Sequence, residues 1–474
     1  MNLTDEQELA VRLVMEGHNV CITGPAGVGK SFLMGHIIHL LREKYSEKEV
    51  FVSASTGLAS THLDGGTTMH SVAGIGIDLS NPKNCLQKAR KAKFWTDAKV
   101  WIIDEISMVS PAYFTMCNSI GKRIRNPTSP FGGIQMIVVG DFMQLPYIDK
   151  DYDKKRAKDP TLPKSPPALF DCKAWKNTFK KVVLLTKVLR QKNEKFIGLL
   201  QRVRMGELTD EDDNILSARK NAKLENNGVD PTNLYTYRAD VEFQNEVKLK
   251  KLDGKPHYFD ADDSGLNKYA VEALAKNCLA PTQLVVKEYA QVMLVKNLRG
   301  FTDLVNGSRG YVEGFETSSR LEDGVEYPRV KFECGISMVM IPEVWEVKKG
   351  ERVEARRKQV PLCLAWALTV HKCQGMTLDK VNIDISKCFE RGQAYTALSR
   401  CRTLQGIKLI GYSKKSIIVD ARAVAWYAGL GDVNAQRKDE EIKEKEEAKK
   451  LESAKKKQKL ETQQKANKWW NEYE

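Results

Sequence analysis

Short apolar runs alternate with amphipathic stretches through the first half of the chain. Residues 20–23, 50–54, 100–103 and 134–139 have the unbroken hydrophobicity of strands buried on both faces. Between them apolar positions recur at helical spacing, as at Leu33, Ile37 and Leu41. Strand and helix in series predict an α/β layer built on a parallel sheet. From Asn233 the pattern resumes with NLYTYRADVEFQNEVKLKKL, a strand followed by an amphipathic helix, and VNIDI and IKLIGY read as further strands. Residues 305–358 differ. GYVEGF, YPRVKFEC, ISMVMIP and VWEVKKGERVE are β-type segments, and they predict a small all-β insertion within a second α/β domain. From Asp439 a Glu/Lys/Ala/Gln tract predicts a solvated helix or a disordered tail.

A chain of 474 residues is long enough for two or three domains. No apolar run approaches the roughly 20 residues of a membrane span. The first residues, MNLTDEQELAV, carry neither a signal-peptide core nor an Arg-rich transit pattern. The expectation is an intracellular protein, nuclear if it acts on nuclear DNA and otherwise cytoplasmic. The 10 cysteines include no CxxC pair, which fits reduced thiols; His371 and Cys373 lack the second pair a zinc site needs. Net charge is +14, and the tail from Ala435 holds 12 basic against 10 acidic residues, so the excess belongs to the body. A basic body points to a polyanionic partner, nucleic acid ahead of an anionic membrane surface.

GPAGVGKS fits G-x-x-x-x-G-K-[ST], with a strand before it and a helix after it. Its glycines let the backbone N–H groups of Gly24, Pro25–Ala26, Gly27, Val28 and Gly29 wrap phosphates, apart from the proline, which has none. Lys30 reaches the β/γ-phosphates and Ser31 ligates Mg²⁺. VWIIDEIS ends an apolar strand in Asp104, suited to hold Mg²⁺ through water, and Glu105, suited to orient or deprotonate an attacking water. QMIVVGDFMQLP brings Gln144 to the same edge, either to sense the γ-phosphate or to cap a turn before Pro146. Gln7, in Thr4-Asp5-Glu6-Gln7, fits a helix capping box or a reader of the adenine edge. Arg190, in LTKVLRQ, and Arg400, in YTALSRCR, are candidates to lie over the γ-phosphate.

In their order, these segments resemble the petite-integration-frequency family of superfamily 1 DNA helicases, related to the RecD-like motors. LTDEQ is similar to its adenine-reading motif, and GPAGVGKS, VSASTGLAS, GGTTMHSVAGIG, WIIDEISM and GDFMQLP follow. LTKVLRQ, KFIGLLQRVRMGELTD, LVNGSRGYVEGF, LAWALTVHKCQGMTLD and YTALSRCR complete the series, which runs from Leu3 to about Tyr412. Family members often carry extended N-terminal regions, whereas this chain begins almost at the first motif. Cys373 and Cys401 stand where related sequences often have Ser and Ala.

The resemblance implies an α/β fold of two RecA-like P-loop NTPase domains with ATP and Mg²⁺ between them. The first would cover residues 1–183, with a small wedge insertion near 77–93. The second would cover 184–304 and 358–432, interrupted by a small β-barrel at 305–357, with a charged tail at 435–474. ATP would be held by Gln7, the loop from Gly24 to Ser31, Gln144, Arg190, Gly375 and Arg400; Glu105, Lys30, Gln144, Arg190 and Arg400 would act in hydrolysis. Thr56, Gly57, His70, Ser71, Lys91, Phe94, His371, Lys372 and Gln374 would lie along single-stranded DNA. His70 also reads as a core histidine, and the basic helix near Lys91 as a solvated one. The implied activity is 5′-to-3′ translocation and unwinding of forked, duplex or folded DNA in replication, recombination, repair or telomere maintenance, by a monomer. An RNA helicase, a RecD-like subunit of a larger complex and a P-loop switch are the rivals. Trp469 and Trp470 suggest a protein-docking anchor in the tail.

Overall fold

The computed structural model describes residues 3–55, 67–76, 79–149, 152, 156–159, 161, 166–224, 229–266, 268–296, 298, 304, 306–319, 321, 324–349 and 352–430. Thr56, Gly57, Trp469, Trp470 and all of 435–474 therefore lie outside the described residues, as do Ile77 and Asp78 of the expected wedge. The chain divides into two units, Met1–Ala423 and Val424–Glu474. The described part of the second, residues 424–430, is helical.

Six strands of the first unit form a parallel sheet: β1 (Val20–Thr23), β2 (Val50–Ala54), β3 (Thr67–Thr68), β4 (Val100–Asp104), β5 (Gln135–Gly140) and β6 (Lys181–Leu184). They lie in the order β3-β2-β4-β5-β1-β6. Val20 pairs with Ile137 on one side and Lys181 on the other, so the first strand lies inside the sheet. Every residue of β1 is buried, as its unbroken apolar character requires. The helices Asp5–Met15 and Lys30–Lys44 cover one face, where Leu33, Ile37 and Leu41 pack with Val20, Ile22, Ile102 and Ile137. Because all six strands run the same way, their C-terminal ends bring Gly24, Asp104, Glu105 and Asp141 to a single edge.

The later strands are β7 (Thr232–Tyr235), β8 (His257–Asp260), β9 (Asp262–Gly265), β10 (Gln283–Val286), β11 (Gln291–Leu294), β12 (Arg309–Thr317), β13 (Glu326–Phe332), β14 (Ser337–Val339), β15 (Glu343–Lys349), β16 (Arg352–Gln359), β17 (Leu362–Leu364), β18 (Ala367–Thr369), β19 (Val381–Asp384) and β20 (Ile407–Gly411). A second parallel sheet has the order β18-β7-β19-β20. The antiparallel part is wider than residues 305–358. Its five-stranded sheet, β14-β13-β12-β11-β17, recruits strands on either side of that span, and β9 pairs with β16. These flanking strands are too short to announce themselves, and they are set by pairing: β11 with β12, β17 with β11, and β9 with β16.

In the expected wedge a helix spans Pro82–Ala89, capped by Asn81, whose Oδ1 accepts from the Asn84 N–H at 3.1 Å. Phe94 and Trp95, which follow it, anchor inward. Phe94 is 3% exposed, and its ring meets Phe51, Trp95 and Trp101 edge-on at centroid distances of 5.0, 4.7 and 4.7 Å. The expectation that Phe94 stacks on DNA is corrected here: a ring enclosed on its edges and faces has none to offer a base. Lys91 is exposed.

Candidate active site

The phosphate loop folds as its glycines demand. Gly27 has φ +84°, and a Cβ there would lie 2.7 Å from the Arg190 Cβ. A Cβ at Gly24 would lie 2.3 Å from the Leu185 carbonyl oxygen. Pro25, Ala26 and Val28 are buried, while Ser31 is exposed on the first turn of the following helix. Lys30 Nζ donates to the carbonyls of Gly24 (2.7 Å) and Pro25 (2.8 Å), and burial pulls its pKa down to about 8. Gln7 forms the capping box and also reaches the phosphate loop. Its Oε1 accepts from the Thr4 N–H (3.0 Å) in a capping box, and its Nε2 donates to the Val28 carbonyl of the loop (3.3 Å).

Opposite the loop stand two carboxylates. Burial, and the neighbouring Glu105, push Asp104 up to about 7. Burial also raises Glu105, although Lys30, Arg400 and a hydrogen bond from Gln374 pull the other way. Glu105 sits in the left-handed region at φ 50°, ψ 47°, a conformation that non-glycine residues rarely hold. Its backbone N–H donates to Asp104 Oδ1 at 2.8 Å.

Residues from beyond the first sheet complete the arrangement. Arg400, 2% exposed, donates to Gln144 Oε1 (3.3 Å), the Thr396 carbonyl (2.8 Å) and Ser399 Oγ (2.9 Å). Arg190 donates to the Ser399 carbonyl at 3.0 Å, and burial followed by the nearness of Arg400 lowers its pKa. Among the described residues neither guanidinium forms an ion pair. A buried and a half-buried arginine with neutral partners, beside Lys30, form a cradle suited to a polyphosphate. Asp104 with Ser31 suits a divalent cation, whose charge would relieve the crowded carboxylates. The residues present therefore fit both ATP and Mg²⁺.

The DNA-side expectations divide. His371 Nε2 lies 3.2 Å from Glu390 Oε2, and Lys372 is exposed. His70 is half-buried against Tyr113, with ring centroids 4.3 Å apart, and burial lowers its imidazole. Ser71 shares a hydrogen bond with Thr68 Oγ1 at 3.1 Å. Gln374 departs from its expected place along the DNA. It is 8% exposed and its Nε2 donates to Glu105 Oε2 at 2.9 Å. Gly375 beside it is exposed at φ +82°.

Three site residues escaped the sequence reading. Tyr395 accepts from the Ala26 N–H of the phosphate loop at 2.8 Å. Gln191 Nε2 donates to the Cys401 carbonyl at 2.8 Å. Asp141, fully buried, accepts from Arg204 at 2.9 Å, and although burial raises its pKa, Arg204 and Lys30 hold it below the ordinary carboxylate range. Asp141 and Arg204 both lie in segments quoted for the family resemblance, but their pairing spans 63 positions.

Residues 2–214 match the PIF1-like helicase family, and residues 271–315 match the 2B domain of DNA helicase Pif1. The chain is 37% identical over 441 residues to the ATP-dependent DNA helicase PIF1 of Xenopus laevis, covering 92% of this chain and 66% of that one. It thus spans just under two-thirds of that relative's length. The crystal structure of Pif1 helicase from Candida albicans is 34% identical, with a TM-score of 0.75, covering 91% of this chain and all of that one. The Bacteroides Pif1 helicase in complex with ADP-AlF3 and ssDNA is 28% identical, with a TM-score of 0.62, covering 91% and 98%. A buried phosphate loop, two RecA-like sheets and relatives matched over nine-tenths of the chain give one answer: the chain belongs to the PIF1-like helicase family.

Proposed function

We propose that this chain is an ATP-dependent motor that travels 5′ to 3′ on single-stranded DNA and unwinds forked, duplex or folded DNA. The observation that carries it is Arg400: a buried guanidinium from the second sheet's side, hydrogen-bonded to Gln144 at the edge of the first. A nucleotide switch takes its arginine from its single nucleotide-binding domain or from a partner, whereas here it comes from a second sheet of the same chain, as a motor driven by closure between two RecA-like domains requires. The relative solved with ADP-AlF3 and ssDNA supports the same two ligands here. We read the first domain as residues 1–183 and the second as 184–304 and 358–432, carrying the β-barrel of 305–357.

ATP would lie on the loop from Gly24 to Ser31, with Gln7 at its base and Gly375 and Arg400 facing it. Mg²⁺ held by Ser31 and Asp104 would neutralise charge between the β- and γ-phosphates. Glu105 orients the attacking water and takes its proton. Lys30, Arg190 and Arg400 stabilise charge on the transferring phosphoryl group, and Gln144 passes the state of the γ-phosphate to Arg400. Alternating closure and opening would move a strand held by His70, Ser71, Lys91, His371 and Lys372 through its phosphates. The account suits replication, recombination or repair, by a chain acting as a monomer.

The test is displacement from matched duplexes bearing a 5′ or a 3′ single-stranded tail, with ATP and Mg²⁺. Displacement from the 5′-tailed duplex alone, lost in Lys30→Ala, is expected. Displacement from the 3′-tailed duplex alone would reverse the polarity. None from either would end the reading of this chain as a self-sufficient helicase.

A further inference from the structure

Residues 371–376 form one tight turn after β18, tied at several points. The Cys373 N–H donates to the Thr369 carbonyl (3.1 Å), Met376 N–H to the Cys373 carbonyl (3.1 Å), and Lys372 N–H to Thr369 Oγ1 (3.2 Å). The Cys373 Sγ–H donates to the Val370 carbonyl at 3.1 Å, and the cysteine is fully buried. This turn has two faces. His371 and Lys372 look outward, half-buried and exposed, while Cys373 and Gln374 are buried. The Gln374 amide crosses to the other sheet's edge and donates to Glu105 Oε2 at 2.9 Å. So the exposed Lys372, beside the His371–Glu390 pair, and the carboxylate beside the phosphate loop are joined through consecutive residues of one turn.

From this juxtaposition we infer that Gln374 is a positioning residue for Glu105, holding its carboxylate away from the attacking water until a strand engages His371 and Lys372. The inference rests on the motor reading above. A carboxylate oxygen that accepts a buried amide hydrogen has one lone pair occupied and its orientation fixed. The turn is too closely bonded for its outer residues to shift without its inner ones. A phosphate drawn to Lys372 and His371 therefore pulls the Gln374 amide off Glu105. The carboxylate is then free to turn towards the water. Hydrogen bonds to charged groups bias an equilibrium by about tenfold or more, enough to govern idle turnover.

One substitution tests this. Gln374→Met keeps the bulk and removes the donor. ATP hydrolysis is measured with and without saturating oligo(dT), alongside oligo(dT) affinity by fluorescence anisotropy. The expected result is strand-free turnover raised about tenfold, strand-saturated turnover within about twofold of wild type, and affinity within about threefold. The stimulation ratio then collapses from below. Equal loss of both rates, or a fall in affinity with the ratio intact, would overturn the inference in favour of packing or a direct DNA contact.

A second measurement needs no substitution. In wild type without nucleotide, oligo(dT) should change amide hydrogen exchange at residues 371–376 and 104–107 together; a change confined to 371–376 would overturn it. Wild type lacking any DNA-stimulated hydrolysis would instead sink the motor reading itself, which keeps the two failures distinct.

Discussion

Replacing Arg204 by Met tests how the first sheet's edge is held in place. Asp141 is fully buried and accepts from Arg204 NH2 at 2.9 Å and Nε at 3.4 Å, with a further bond from the Met143 N–H at 3.1 Å. Removing one partner of a buried ion pair costs about 3–5 kcal/mol, because the other charge stays in a low-dielectric site. Lys30 remains nearby and Met143 still donates, so the lower end, about 3 kcal/mol, applies. For domains of this size that is a fall in melting temperature of roughly 6–12 °C. The sign of the pH dependence follows from burial. Without Arg204 the Asp141 carboxyl rises above its ordinary value, so the folded state keeps a proton that the unfolded chain has lost. Stability of the variant then falls as pH rises. Thermal unfolding of wild type, Asp141→Asn, Arg204→Met and the double variant, at pH 5 and pH 8, reads all of this. The double variant should lose at least about 1 kcal/mol less than the sum of the singles. Additive losses, or an Arg204→Met loss equal at both pH values, would refute the reasoning.

Asp212 accepts from Arg202 Nε (2.6 Å) and NH2 (2.7 Å), and the Arg202 hydrogen bonds hold its pKa down to about 2. Screened by solvent around Arg202, the pair contributes about 1 kcal/mol of stability at neutral pH that disappears as pH falls from about 4 to about 2, and Asp212→Asn should flatten that part of an acid-unfolding curve. Phe94→Ala should cost about 3–5 kcal/mol in unfolding yet leave single-strand affinity of the folded protein within about twofold, read by urea titration and anisotropy. Gly27→Ala meets both a left-handed backbone and the Arg190 Cβ at 2.7 Å, so ATP-analogue binding should weaken by at least about tenfold in equilibrium titration.

The phosphate loop and the Asp104-Glu105 strand end were legible because local chemistry dictates them: glycine spacing, an apolar run, then polar residues at a sheet edge. Strands such as VNIDI and IKLIGY were legible for the same reason, and they appear as β19 and β20. What pairs across the chain was not. The Gln374–Glu105 bond spans 269 positions and the Tyr395–Ala26 bond 369, and no local pattern encodes either. The family resemblance put Gln374 along the DNA with its neighbours His371 and Lys372; only the turn's geometry shows that adjacent residues take opposite sides. Phe94 misled in the same way. A basic amphipathic helix leads into it, but aromatic rings beside Trp101 gain more from burial than from display. Gln7 shows the converse, since the capping box legible in the sequence forms through Oε1 and leaves Nε2 to hold the phosphate loop at Val28.

The claim that ATP is shared between two sheets is tested most directly at Arg400. Its substitution by Ala leaves the phosphate loop intact, so affinity for a fluorescent ATP analogue should stay within several-fold of wild type. DNA-stimulated hydrolysis should fall by about 10³-fold or more, the usual contribution of an arginine at the transferring phosphate. Hydrolysis within twofold of wild type would contradict the account and leave the second sheet without a part in the chemistry.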